Sequence, residues 1–136
     1  MDRLFRIRII LNKYQIPSKT FYKVGRVLLG IYFLIPGLFK FILFENNLEI
    51  VILREVPFPI FSLLLIGALQ VIFGTLVIVG KKVSISACIL VLVTVLINLY
   101  IHDFWNITIN TDHETQNFIK NLGIIAGLLL LTKDKN

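Results

Sequence analysis

Long apolar runs, interrupted by few charges, are the feature that most constrains how this chain can fold. A helix needs about 20 mostly apolar residues to cross the hydrocarbon core of a bilayer. Four segments approach this length, at about residues 24–44, 58–80, 83–101 and 115–132. Pro57–Phe58–Pro59 precedes the second segment and suits a helix start, and Lys81–Lys82 separates the second from the third. The sequence therefore predicts an all-α protein, specifically a transmembrane four-helix bundle.

The composition agrees with a membrane environment. Of the 136 residues, 57% are hydrophobic and 16% are charged, whereas soluble domains have roughly 45–50% apolar and about 25% charged residues. A soluble domain of this length has too small an interior for so many large apolar side chains. We expect one membrane domain at residues 24–132, preceded by a basic segment at 1–23 and followed by a short tail at 133–136.

The distribution of basic residues predicts the orientation of the spans, because Lys and Arg favour the cytoplasmic side. Four spans place eleven basic residues on the side of the termini and three on the other side. The first group contains Arg3, Arg6, Arg8, Lys13, Lys19, Lys23, Arg26, Lys81, Lys82, Lys133 and Lys135, and the second contains Lys40, Arg54 and Lys120. We expect both termini in the cytoplasm, in the inner membrane of a bacterial cell. Residues 3–15 mix basic and apolar side chains, and they are interpreted either as a simple charged anchor or as an interfacial amphipathic helix.

Glycines recur where the helices are expected to meet. Gly30 and Gly37 are seven apart in the first span, as are Gly67 and Gly74 in the second, while Gly123 and Gly127 form a GxxxG sequence in the fourth. In lipid, small residues allow helix backbones to approach closely. Packing within the bundle is favoured over dimerisation as the interpretation of this pattern.

Polar side chains at membrane depth are costly and are candidates for function. Here they concentrate toward the predicted outer side, where the ends of spans one, three and four meet. The candidate pocket residues are Lys40, His102, Asp103, Trp105, Gln116, Lys120 and Asn121, and Gln70 is a further polar residue in the second span. Such a pocket could hold a quinone head group, with His102 or Lys120 donating to a carbonyl and Trp105 stacking on the ring. Each residue also has a plainer explanation, such as a snorkelling lysine, an interfacial aromatic or a solvated loop pair.

Other chemistries have little support in the sequence. His102 and His113 are eleven apart with acids nearby, a spacing that matches no standard metal site, and we expect no metal. No phosphate-binding or nucleophile motif is present. The basic residues cluster beside an apolar span, which fits an anionic membrane surface and not nucleic acid. The single cysteine, Cys88, excludes a dithiol mechanism within the chain.

The chain resembles the DoxX-type four-span membrane proteins. The resemblance rests on residues 25–30 (GRVLLG), 36–40 (PGLFK), 67–74 (GALQVIFG), 102–105 (HDFW) and 116–123 (QNFIKNLG). It implies a compact four-helix membrane bundle, and it marks Lys40, His102, Asp103, Trp105, Lys120 and Asn121 as motif residues. The family often has an acidic residue where this chain has Gln70, which puts proton handling at that position in doubt.

We expect a quinone-interacting or accessory membrane subunit of a redox system. The chain would have no redox cofactor of its own and would exchange electrons with membrane partner proteins, with a quinone as the expected ligand. A non-catalytic structural or assembly protein is the alternative. A small-molecule transporter is disfavoured because ionisable residues are almost absent near the membrane midplane. The resemblance defines the fold better than an activity, so whether the protein is an enzyme stays open.

Overall fold

A computed structural model describes residues 2–7 and 17–133, and in these ranges it contains helices and turns but no strand. The helices are α1 (Ser18–Ile42), α2 (Phe44–Leu53), α3 (Pro59–Val79), α4 (Val83–Tyr100) and α5 (Thr111–Leu131). Residues 3–7 are also helical. The predicted all-α class is confirmed. The predicted interfacial segment lies largely outside the described residues.

The helix bounds follow the apolar segments closely, with three differences. Helix α5 begins at Thr111, four residues before the predicted start of the fourth segment. Helix α1 begins at Ser18, before the apolar run, and continues through Pro36. Helix α2 fills the connection to α3, where the sequence reading had no helix. Leu43 has non-helical backbone angles and separates α1 from α2. The Asn47 amide donates to the carbonyls of Phe39 and Leu43, so that it satisfies groups exposed at the end of α1.

The turn between α3 and α4 is tight and is closed by a buried arginine. Gly80 has φ +84° and ends α3 in the left-handed conformation that favours glycine. The Arg26 guanidinium, only 9% exposed, donates to the carbonyls of Val77 and Ile78 in the last turn of α3. A cation at a helix C-terminus also interacts favourably with the helix dipole. Arg26 therefore joins α1 to α3. The sequence analysis had counted Arg26 only among the cytoplasmic charges and did not predict this contact.

Glycines bring α1 and α3 into close contact. A Cβ atom added to Gly30 would lie 2.7 Å from the Gly74 carbonyl oxygen, and one added to Gly74 would lie 3.0 Å from the Gly30 carbonyl oxygen. One added to Gly37 would lie 2.9 Å from the Cβ of Gln70, and one added to Gly67 would lie 3.0 Å from the Phe41 ring. These four glycines form the backbone contact that their spacing predicted. Dispersion contacts of this kind drive helix association in lipid.

The second half of the chain completes the packing. Helix α4 contacts α3 on one side and α5 on the other, and α5 also contacts α1. A buried apolar cluster receives side chains from all four long helices, namely Phe33, Val77, Val83, Ala87, Leu90, Leu128 and Leu131. In the GxxxG sequence, Gly127 faces Leu29 of α1, whereas nothing lies within 4 Å of a Cβ placed on Gly123. Only one of the two glycines therefore serves the contact between helices.

Within the part of the chain that the structure describes, three helices are long and apolar enough to cross a membrane, namely α1, α3 and α4. Most of their large side chains face outward, as Leu28, Ile72 and Leu92 do. An outward apolar surface of this extent suits lipid and not water. Helix α5 has the length to cross but is not among the three, and its N-terminal half carries Asp112, Glu114 and Lys120.

Candidate functional site

A pocket of about 230 Å³ opens where the C-terminal halves of α1 and α4 meet the middle of α3 and the N-terminal half of α5. It brings together five of the eight sequence-predicted residues. Its lining comprises Tyr32, Phe33, Pro36 and Lys40 of α1, Gln70 of α3, Thr94 and Ile97 of α4, His102, and Asn117, Lys120 and Asn121 of α5. Below, this is called the polar pocket. Successive lining residues of α1 and of α5 are mostly three or four apart, and residues with this spacing share one face of a helix.

The other three predicted residues lie elsewhere. Trp105 is 52% exposed and packs edge-to-face with Phe104 and Phe118, away from the pocket lining. Gln116 is exposed. The neighbouring Asn117 lines the pocket instead, at the place on α5 that the sequence analysis assigned to Gln116. Asp103 pairs with an arginine, as described below. Any ligand-binding role for these residues stays a prediction.

Buried amides connect three helices beneath the pocket. The Tyr32 hydroxyl of α1 donates to Asn121 Oδ1 of α5 at 2.9 Å, and Asn121 Nδ2 donates to Asn98 Oδ1 of α4 at 2.7 Å. Asn98 in turn donates to the Phe118 carbonyl at 3.2 Å. Buried polar groups are costly unless they are hydrogen-bonded, so this network helps to fix the relative positions of α1, α4 and α5. Asn121 is thus a structural member of the lining.

Two polar groups of the lining have no such partner. Gln70 is 4% exposed, and its Oε1 atom is buried without a hydrogen bond. Within residues 2–7 and 17–133, neither the Lys40 ammonium nor the Gln70 amide makes a side-chain hydrogen bond. Lys120, by contrast, donates to Asn117 Oδ1 at 2.9 Å. A buried donor or acceptor without a partner is costly. A ligand that hydrogen-bonds to such a group at a pocket wall removes that cost, which favours binding.

An ion cluster lies beside the pocket and joins α2, the loop after α4, and α5. Arg54 contacts Asp103 Oδ1 through Nη1 and Glu114 Oε1 through Nη2, both at 3.2 Å. His102 Nδ1 lies 2.6 Å from Glu114 Oε2. These side chains are 13–18% exposed, and Asn106 also donates to Asp103. His102 is the one member of this cluster that also lines the polar pocket.

Glu114 stands in the first turn of α5, outside the three candidate spans, and its surroundings favour the carboxylate. Burial alone raises the pKa of Glu114. The hydrogen bond with His102, together with the positive charges of His102 and His113 when they are protonated and of Arg54, outweighs that effect and holds the pKa below its ordinary value. The sequence analysis counted Arg54 only among the basic residues on the side away from the termini, and it did not single out Glu114. Their sequence separation gives no local pattern that could have revealed the contact.

A second cavity of about 250 Å³ adjoins the polar pocket and is almost wholly apolar. It lies between the N-terminal half of α3 and the C-terminal end of α4, with Leu63, Ile66, Leu96 and Tyr100 among its lining residues. Lys40 and Ile97 line both cavities. A polar chamber and an apolar chamber thus meet at the Lys40 side chain. Such an arrangement is suited to an amphipathic ligand.

Apolar helices and outward-facing aliphatic side chains define an integral membrane protein. A family model, DoxX, matches residues 21–103. The chain belongs to the DoxX family, which confirms the resemblance seen in the sequence. The matched region contains α2, α3 and α4 and nearly all of α1, and it ends before α5. Neither a curated protein nor a solved structure matches the chain.

Proposed function

We propose that this protein binds a quinone head group in the polar pocket and serves as an accessory membrane subunit of a redox system. Electrons would pass between the bound quinone and a membrane partner protein. The chain would contribute recognition of the ligand and its placement at one membrane face. The proposal includes a fourth span at α5, which makes the fold a transmembrane four-helix bundle in a bacterial inner membrane.

The observation that carries the proposal is the meeting of the two cavities at Lys40. A quinone has a compact ring with two carbonyl oxygens and a long apolar tail. The polar pocket offers Lys40 and Lys120 as donors to a carbonyl oxygen, and Gln70 as an unpartnered amide. The adjoining apolar cavity offers room for the beginning of the tail. Few polar groups in a mostly apolar setting are typical of small-molecule sites.

Orientation follows from the helix directions together with the charges. The start of α1, the Lys81–Lys82 turn and the end of α5 lie on one side if all four long helices cross. Ser84 Oγ donates to the Thr132 carbonyl at 2.9 Å, so the start of α4 and the end of α5 are neighbours. The excess of Lys and Arg on this side favours the cytoplasm. The polar pocket would then face the outer side.

Cysteine labelling in intact cells tests this topology. In a Cys88→Ala background, single cysteines would replace Lys81, Asn106 or Lys133. A membrane-impermeant maleimide should label only the cysteine at position 106, and all three should react after the cells are permeabilised. Labelling at position 133 in intact cells would show that α5 does not cross, and it would overturn the four-span assignment.

Mass spectrometry of the small molecules retained in native lipid nanodiscs tests quinone binding. The test variant carries His102→Ala and Lys120→Ala, which remove two residues of the pocket. The matched control carries His113→Ala and Lys133→Ala, the same residue types away from the lining. A quinone enriched over bulk lipid in the wild type and the control, but not in the test variant, would support the proposal. Absence of enrichment in all three would refute quinone binding and favour a structural or assembly role.

A further inference from the structure

His102 lines the polar pocket and also contributes one ring nitrogen to the ion cluster. Its Nδ1 atom lies 2.6 Å from Glu114 Oε2. Arg54 holds the other oxygen of the same carboxylate at 3.2 Å. No other residue in the described part of the chain hydrogen-bonds to the His102 ring. The other ring nitrogen, Nε2, is therefore available to a ligand.

The Glu114 carboxylate decides which nitrogen of neutral His102 carries the hydrogen. An ionised carboxylate can only accept hydrogen bonds, so the short contact requires a hydrogen on Nδ1. In a neutral imidazole the other nitrogen is then an acceptor. Arg54 holds the Glu114 carboxylate in place, and the partial burial of Glu114 and His102 limits rearrangement of the two side chains. The dyad thus supplies an acceptor to a pocket whose two lysines can only donate.

We infer that the His102–Glu114 dyad makes the polar pocket selective for the reduced, hydroxyl-bearing form of the ligand. This inference rests on the proposed quinone site. A hydroquinone hydroxyl can donate to His102 Nε2, and the opposite ring oxygen can accept from Lys40 or Lys120. An oxidised quinone has only acceptors, so it leaves Nε2 without a hydrogen bond. His102 is the binding residue in this scheme, and Glu114 is a positioning residue.

The test compares the affinities of decylubiquinol and decylubiquinone for the full chain in nanodiscs. Native mass spectrometry under anaerobic conditions would count bound ligand, and empty nanodiscs would correct for partition into lipid. One well-formed hydrogen bond corresponds to a preference of about tenfold for the reduced ligand. The wild type should show this preference in buffer at pH 8.

Two variants separate the dyad from general charge effects. In Glu114→Gln, Arg54 would attract the amide oxygen and turn the amide NH2 toward His102 Nδ1. Nε2 would then carry the hydrogen, and the preference should vanish or invert. Asp112→Asn removes the same charge from the same turn, at an exposed residue without an ion pair among the described residues, and should leave the preference unchanged.

The outcomes distinguish the two proposals. Equal affinities of both forms for the wild type would overturn the selectivity while leaving quinone binding intact. An unchanged preference in folded Glu114→Gln would overturn the role of Glu114. If that variant does not fold, the comparison of the two ligand forms on the wild type still decides whether the pocket is selective. No saturable binding of either form would instead refute the proposed quinone site.

Discussion

A single methyl group added to Gly30 should separate α1 from α3. Its Cβ would lie 2.5 Å from Ile78 Cγ1 and 2.7 Å from the Gly74 carbonyl oxygen, well inside the 3.4 Å at which ordinary contact begins. The Ile78 side chain can rotate away, but the Gly74 oxygen belongs to the backbone of α3. The helices must therefore move apart, and the contact between their backbones is lost.

The expected cost of Gly30→Ala is about 1–3 kcal/mol, the usual range for overpacking a well-packed interior. Gly123→Ala is the matched control, because a Cβ there meets nothing within 4 Å. Alanine is the better helix former, so in a helix exposed to water this control would gain roughly 1 kcal/mol. In lipid we expect it to be neutral or mildly stabilising.

The assay is reversible unfolding of the purified protein in mixed micelles with increasing dodecyl sulfate, followed by circular dichroism. A second variant, Gly30→Ala with Ile78→Ala, removes the side-chain clash but keeps the clash with the backbone. It should remain less stable than Ile78→Ala alone. Equal stability of Gly30→Ala and Gly123→Ala would refute the argument that the α1–α3 contact depends on the absence of a Cβ atom.

Three further perturbations test the other contacts. Asn121→Ala leaves the Tyr32 hydroxyl and Asn98 Oδ1 without partners, and it should lower the free energy of unfolding by about 1–3 kcal/mol in the same assay. A cost no greater than that of Tyr32→Phe would contradict the network. Glu114 has a lowered pKa when folded, so its contribution to stability is complete above the ordinary carboxyl pKa and is lost as the pH falls through the lowered value. Wild type should therefore lose more thermal stability between pH 7 and pH 3 than Glu114→Gln, and parallel profiles would argue against the ion cluster. Arg26→Gln should lower the unfolding midpoint because the carbonyls at the end of α3 lose a charged donor, and an unchanged midpoint would exclude a capping role.

The sequence alone established the fold class and the approximate bounds of the long helices. The reason is physical: in lipid every backbone group must be satisfied within its own helix, so an apolar run of sufficient length specifies a helix directly. The predicted starts at residues 58 and 83 differ from those of α3 and α4 by at most one residue. The spacing of Gly30, Gly37, Gly67 and Gly74 also revealed the α1–α3 contact, since seven residues return a side chain to nearly the same helix face.

The tertiary structure decided which polar residues share a site. Sequence reasoning placed Lys40, His102 and Lys120 at one membrane face because the helix ends meet there, and the helix packing brings them to one pocket. It could not show that Glu114 turns toward His102, or that Trp105 turns toward Phe118. Such contacts depend on the rotation of each helix about its axis, and that rotation is set by packing against neighbours. Residues far apart in the chain, such as Arg54 and Glu114, become partners only after the helices have packed.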